Sequence, residues 1–394
     1  MKLLHLSLML GLALASLTAT AAEKRLLLIA GKQSHGPGDH EFRAGCLLLQ
    51  KCLAGVPGLR AEVHTNGWPA SDTAFEGVDA VFIYADGGGG HPAIQSERIK
   101  LIDALAKKGV GLGFGHYGVE VPAGAPGEAM HRWVGGYYEH QFSVNPMWTP
   151  EYRTFPNHPI ARGVRPFALL DEWYFNMRWR ADGQGLTHLL VAKPSDAVRD
   201  GPYVYPQGPY KHIQEAKGRD ETMMWAFERP DGGRGFGFTG GHKHVNWAND
   251  NYRKVLLNAL LWIAKAEVPA AGVESKLAPE ELAQNLDPKG MPADAPNITG
   301  HWRFKVETSA GSGSPTFTFV HAGQNLIGTY SGFFGEAELS GSVSKDQNVR
   351  FSFRVSRDGQ EGTVTYTGKV ESPTAMKGTV KFGDLGEGTW TATK

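Results

Sequence analysis

Cysteine is nearly missing from this chain: Cys46 and Cys52 are the only two in 394 residues, so no disulfide framework holds the fold. A helical pattern from about Asp39 to Leu53 separates the pair by a rise of about 9 Å, beyond the Cα spacing of a disulfide, and both read as small buried apolar residues. Net charge is missing as well. Lys plus Arg and Asp plus Glu each number 40, which leaves no field to gather nucleic acid, a polyanion or an acidic membrane surface. No G-x-G-x-x-G opens the first helix, and neither a Gly-Lys-Ser/Thr phosphate loop nor an H-E-x-x-H run occurs. The usual signals for dinucleotide, nucleoside triphosphate and metalloprotease sites are therefore absent. A neutral small ligand suits this balance.

Long apolar runs are confined to the N-terminus. Met1-Lys2, an apolar stretch from Leu3 to Leu17, and Ala19-Thr20-Ala21-Ala22 before Glu23-Lys24-Arg25 have the layout of a secretory signal peptide. The expectation is cleavage after Ala21 or Ala22 and an exported protein, periplasmic or extracellular, with no membrane association once the segment is removed. The run is shorter than the roughly 20 residues of a spanning helix.

The remainder is long enough for two domains, and a hydrophobic fraction of 41% is that of a folded protein. From Arg25 to Lys265 strand-like and helix-like segments alternate, which predicts βαβ units around a mostly parallel, doubly wound α/β sheet. Ser96 to Lys108 reads as a crossover helix stopped by Gly109, and a last helix opens at Asn249-Asp250. Glu221 to Phe227 and Arg234 to Thr239 read as later strands. Residues 23–266 form this domain, and an Ala, Pro, Glu and Lys-rich linker covers 267–296. Residues 297–394 then switch to period two, with Trp302, Phe304 and Val306, then Phe351, Phe353 and Val355 alternating with polar residues, and with turn signals such as Asp358-Gly359. This predicts a small antiparallel barrel or sandwich of about eight strands.

Three buried runs end in glycine-bearing turns that carry histidine: Leu26 to Ala30 before His35, Ala80 to Ala85 before Asp86 and His91, and Val110 to Phe114 before Gly115-His116-Tyr117-Gly118. In an open α/β sheet the ligand crevice lies beyond the carboxyl ends of the parallel strands, so these turns converge on one cleft. At the strand-to-helix elbow where hydrolases place a nucleophile stands His116, with neither Cys nor Ser, so acyl-transfer chemistry has no nucleophile there. The first turn offers His35, Asp39, His40 and Glu41. Asp39 is expected to cap the following helix, which leaves His35 and His40 for the cleft. Gly240-Gly241-His242-Lys243-His244-Val245-Asn246-Trp247 follows a strand and adds two further imidazoles. Asp171-Glu172-Trp173-Tyr174 supplies carboxylates among aromatics, a pairing that suits carbohydrate. A zinc site gathered from His91, His116 and His242 is one option that spacing leaves open.

The turn with His91, Gly115-His116, Pro156-Asn157-His158-Pro159-Ile160 with Gly163, Asp171 to Tyr174, Gly235 to Phe238 leading into Gly240-Gly241-His242, and Asn258 to Trp262 together resemble the ThuA-like family. That family is named for trehalose utilisation and is related in fold to the class I glutamine amidotransferases, without their cysteine. The resemblance covers about Lys24 to Ala266. It implies a flavodoxin-like sheet and a role in sugar metabolism, including oxidised glycosides such as 3-keto sugars. The resulting expectation is an exported enzyme acting on a glycoside or keto-sugar by hydrolysis, elimination or isomerisation. In it His116 transfers protons, Glu172 is the partner acid or base, and His242 polarises the reacting oxygen or holds a metal. His35, His40, Asp86, His91, Tyr117, His244 and Trp247 contact the substrate. No cofactor is required by the sequence beyond the option of a divalent metal. The alternative is a carbohydrate-binding or scaffold protein without catalysis, and glutamine amidotransfer is disfavoured by the missing nucleophile.

Overall fold

The computed structural model describes residues 23–292, 294–309, 311–357, 360–383 and 386–394. The proposed signal peptide, residues 1–22, and the turn at Asp358-Gly359 lie outside them. Strands β1 (Lys24–Ala30), β2 (Leu59–His64), β3 (Ala80–Tyr84), β4 (Gly111–Gly115), β5 (Leu186–Ala192), β6 (Glu221–Glu228) and β7 (Arg234–Phe238) form one sheet in the order β5-β6-β7-β4-β3-β1-β2. The pairs β1–β2, β1–β3, β3–β4 and β4–β7 are parallel, while β6 runs antiparallel to both its neighbours. The sheet is thus α/β and mostly parallel, widened at one edge by the β6–β7 hairpin. Because β2 lies on one side of β1 and β3 on the other, the loops leaving β1 and β3 part at a topological switch point, where such sheets bind ligands.

Alternation along each strand builds two cores. Leu26, Leu28, Ala30, Phe82 and Tyr84 face one side with helices α1 (Phe42–Leu53) and, near the end of the domain, Asp250–Ile263. Leu27, Ile29, Val81, Ile83, Leu112 and Phe114 face the other, with α2 (Arg98–Lys107) and α3 (Ala125–Trp133). The helix Asp250–Ile263, α4, is capped as expected by Asn249, whose side chain accepts from the amides of Asn251 and Tyr252 at 3.0 and 3.1 Å. No helix among the described residues is long and apolar enough to cross a membrane.

The aperiodic stretches carry three two-residue ladders, of which Met147–Trp148 with Asp171–Glu172 bears on the site. The segment 267–296 is packed against the α/β domain: Val268, Val273 and Leu282 are buried. Beyond it, β8 (Gly300–Thr308), β9 (Thr316–Ala322), β10 (Asn325–Gly332), β11 (Gly335–Val343), β12 (Asn348–Arg357), β13 (Gln360–Ser372), β14 (Ala375–Phe382) and β15 (Glu387–Thr393) pair in sequence. The pairing of β8 with β15 closes the ring, so the domain is a barrel and no sandwich. Aromatics fill its interior, with Phe304 and Trp390 stacked at 4.9 Å and Phe351 and Tyr366 at 5.0 Å. Closure removes the exposed sheet edges that an open meander would leave.

Candidate functional site

At the carboxyl ends of the parallel strands the chain takes conformations that side chains seldom adopt. His35, His40 and His116 have φ of 56°, 47° and 51°, in the left-handed region where a non-glycine residue is strained. His116 follows β4 directly and is fully buried. Gly241, at φ 117°, permits the return past it from β7, since a Cβ there would lie 3.2 Å from the Cβ of His116 and from the Tyr84 ring. Glu172 comes from the ladder Asp171–Glu172, whose Asp171 carboxylate accepts from the amides of Gly241 and Lys243 at 3.0 and 3.1 Å. The ladder and the His242 turn are therefore fixed to each other.

These elements bring His40, His116, Glu172 and His242 together. His116 Nε2 lies 3.0 Å from His40 Nε2 and 3.4 Å from Glu172 Oε2. His242 Nδ1 lies 3.0 Å from His40 Nε2 and 2.6 Å from Glu172 Oε2. The outward-facing atoms are held by a second ring of groups. His116 Nδ1 donates to the Thr239 carbonyl at 2.9 Å, His40 Nδ1 to Asp86 Oδ1 at 3.1 Å, and Asn145 Nδ2 donates to Glu172 Oε1 at 2.8 Å. His242 Nε2 faces Asp39 Oδ1 at 3.5 Å, and the Tyr174 hydroxyl sits 3.2 Å from His116 Nε2. These four side chains have the types and closeness of a metal-binding set, with one ligand atom from each within 4.8 Å of the others. A second such group, His35, His40 and Asp86, shares His40 and is more exposed.

The electrostatics follow from burial and pairing. Burial opposes charge on both Glu172 and His242, yet their hydrogen bonds and mutual attraction overcome it. Glu172, bonded to His116 and His242, is held at a pKa of about 2, and His242, bonded to Asp39 and Glu172, is raised to about 10. His40 is pushed well below its ordinary value by burial and then by the neighbouring imidazoles. Glu120 was not foreseen from the sequence. Only 13% of its side chain is exposed, and burial followed by repulsion from Glu172 raises its pKa to about 7. At the mouth stand His35, stacked on His40 at 3.5 Å, Asp86, whose Oδ1 accepts from Ser34 Oγ at 3.0 Å, and Tyr117.

Asp39 also departs from expectation. Helix α1 begins at Phe42, with Glu41 at its N-cap position and no side-chain cap. Asp39 instead accepts from Asn325 Nδ2 at 2.8 Å, and Asn325 Oδ1 accepts from Lys243 Nζ at 2.8 Å. The β9–β10 turn of the barrel thereby reaches the outer ring of the centre. Gly323, at φ 63°, makes this approach feasible, since a Cβ there would lie 2.2 Å from the Gly38 nitrogen. The linker holds the same loop: Lys289 Nζ pairs with buried Glu41 at 3.1 Å and also bonds the Asp39 carbonyl.

Three expected substrate contacts lie elsewhere. His91 is fully buried, accepting from the Ala93 amide at 3.0 Å through Nδ1 and donating to the Gly118 carbonyl at 2.9 Å through Nε2, and burial lowers it to about 4. It caps the short turn Pro92–Ile94. His244 is buried among the segments that carry the barrel and linker, lowered to about 3 by burial. Trp247 packs between Tyr84 and Tyr252 in the core. His40, also wholly buried, belongs to the centre itself. Asn145, Thr239 and Tyr174 were missed, because nothing in local sequence marks an outer-ring partner.

A family model described as ThuA, trehalose utilisation, matches residues 32–263. Among solved structures the chain is similar to a putative ThuA-like protein from Bacteroides uniformis, at 13% identity over 64% of this chain and 95% of that one, with a TM-score of 0.44. The C-terminal part is similar to a redesigned β barrel, at 14% identity over 25% of this chain and 90% of that one, with a TM-score of 0.22. It is also similar to a de novo designed fluorescence-activating β barrel, at 22% identity over 26% and 99%, TM-score 0.22. No curated protein matches the chain. Since the family model spans more than half of the 394 residues, the chain belongs to the ThuA (trehalose utilisation) family.

Proposed function

We propose that this is an exported enzyme that processes a carbohydrate, a glycoside or keto-sugar, at the centre built by His40, His116, Glu172 and His242. The observation that carries the reading is the convergence of three imidazoles and a carboxylate within 2.6 to 3.4 Å contacts at the sheet's carboxyl rim. Family membership supports the substrate class, and the N-terminal sequence supports export. A keto-sugar fits the chemistry because its carbonyl acidifies the adjacent C–H. The carbonyl oxygen faces the centre, where the protonated His242 supplies the positive charge that stabilises an enolate. Glu120, with a pKa of about 7, is poised as the base for that proton. The electron pair from the C–H bond enters the carbonyl, and its return expels the glycosidic oxygen β to it, which takes the proton from Glu120 and departs as an alcohol, completing an elimination. Addition of water to the resulting double bond gives net hydrolysis. His116 and His40 are buried, so in this reading they shape the centre, and proton exchange falls to Glu120. Exposed Tyr205, beside His140 at the mouth, offers an aromatic face for a sugar ring.

The test is incubation with a native glycoside and its 3-keto derivative, followed by mass-resolved product analysis. Product from the keto form, lost in Glu120→Gln, is expected. Binding of either sugar with no product after long incubation would instead make the protein a carbohydrate-binding module.

A further inference from the structure

We propose that the centre is a divalent-metal site of the zinc class, with Nε2 of His40, Nε2 of His116, Nδ1 of His242 and Oε2 of Glu172 as ligands. Hydrogen bonding leads there first. A carbonyl or carboxylate oxygen can only accept, so His116 Nδ1 beside Thr239 and His40 Nδ1 beside Asp86 both carry protons. A neutral imidazole has one N–H. The two Nε2 atoms therefore face each other as acceptors at 3.0 Å, next to a carboxylate, with the Tyr174 hydroxyl 3.2 Å from one and His242 Nδ1 3.0 Å from the other. Such an array needs a cation within it, either a proton between His242 Nδ1 and Glu172 Oε2 or a metal ion in that proton's place.

Geometry agrees with that cation being a metal. Ligands at about 2.0–2.2 Å on a tetrahedron stand about 3.3–3.6 Å apart, near the 3.0, 3.0 and 3.4 Å contacts found, while the 2.6 Å contact of His242 Nδ1 with Glu172 Oε2 would open by about 1 Å on metal entry. Each ligand also has an oriented outer partner: Asp86 for His40, Thr239 for His116, Asp39 for His242 and Asn145 for Glu172. Metal-bound histidines and carboxylates are ordinarily held in this way, fixing tautomer and direction. Three imidazoles and one carboxylate, with no thiolate, suit zinc, and cobalt as its spectroscopic substitute. This assignment stands on the arrangement of the four side chains whether or not a sugar is the substrate.

The experiment is to strip the full chain with a chelator, then titrate it with Zn²⁺ and Co²⁺, following calorimetric heat, elemental stoichiometry and cobalt absorption. One metal per chain is expected, with the intense visible absorption of low-coordinate cobalt and with proton release on binding. Glu172→Gln should weaken zinc affinity by more than about 10-fold and Asp86→Asn by about 10–100-fold, while His212→Ala, at an exposed histidine, should leave it unchanged. Absence of stoichiometric uptake by the wild-type chain, or uptake by folded Glu172→Gln and Asp86→Asn equal to wild type, would overturn the assignment and leave protons as the centre's cations. Since the wild-type titration decides by itself, a variant that fails to fold does not protect the proposal. No sugar turnover enters the readout, so the carbohydrate reading and the metal assignment fail separately.

Discussion

The rim of the α/β sheet and the interior of the barrel both bury histidines, and they treat them differently. In the barrel, His321 donates through Nε2 to the Gly323 carbonyl at 2.9 Å, its Nδ1 faces the Ile298 amide at 3.4 Å, and burial lowers it to about 4. The barrel's apolar core holds Trp302, Phe304, Phe317 and Trp390. Both ring nitrogens of His321 have backbone partners, which leaves neither for a ligand to complete. At the rim, His40 and His116 satisfy only their outer nitrogens and turn the inner ones on each other. Strained backbone occurs at His35, His40 and His116, and Glu120 is buried beside the like charge of Glu172. An imidazole finished by the backbone is structural, whereas one that ends in other imidazoles and a carboxylate marks a place built for something else.

The sharpest break in this comparison is His116→Ala. Its turnover on the keto-sugar is expected to fall about 10³-fold or more, whereas His321→Ala should leave turnover intact and lose about 1–3 kcal/mol through the Gly323 carbonyl and Ile298 amide it abandons. Assays of both variants beside melting curves separate the two outcomes. Next in size is Phe317→Ala. Removing this buried ring should cost about 3–5 kcal/mol, visible in chemical denaturation, with no first-order effect on the centre as long as the barrel stays folded.

Glu120→Gln sharpens the contrast through pH. Its folded pKa of about 7 lies above the unfolded value of 4.5, so the native state binds the extra proton in that window and stability falls as pH rises from 4.5 to 7. Well above pH 7 the variant should exceed wild type by about 3 kcal/mol, and the two should coincide below pH 4.5; Tm against pH checks this. Glu172, Tyr117, Tyr138 and His140 face the same carboxyl, so His140→Ala should leave the limb in place. The smallest effect is reserved for the contact between the two regions. Asn325→Ala, which frees Asp39 and Lys243, should lower kcat/KM about 10-fold while costing only about 1 kcal/mol of stability.

Much of the fold was legible because it rests on local patterns. The unbroken apolar run Leu26 to Ala30 marked a buried strand, the Asn249 cap fixed the start of α4, and period-two alternation after residue 297 marked the β domain. The strand-end rule also drew attention to His116 and His242. It could not say which side chain of a turn looks inward. His91 stands one turn from the cleft yet serves the Pro92–Ile94 cap, and Trp247 faces the core. Asp39 read as a helix cap because its real partner, Asn325, is 286 residues away. Glu120 was hidden for another reason: its environment is made by Tyr138 and Glu172, which reach it from aperiodic segments. Long-range polar partnership leaves no periodic trace.

The most direct single measurement is turnover of a 3-keto glycoside by Glu172→Gln, read beside its cooperative unfolding. Glutamine keeps the shape and the Asn145 contact but removes the charge that joins His116 and His242. A folded variant without measurable turnover is the expected result. A folded variant that turns over as fast as wild type would mean that the four converging side chains are packing and not a working centre.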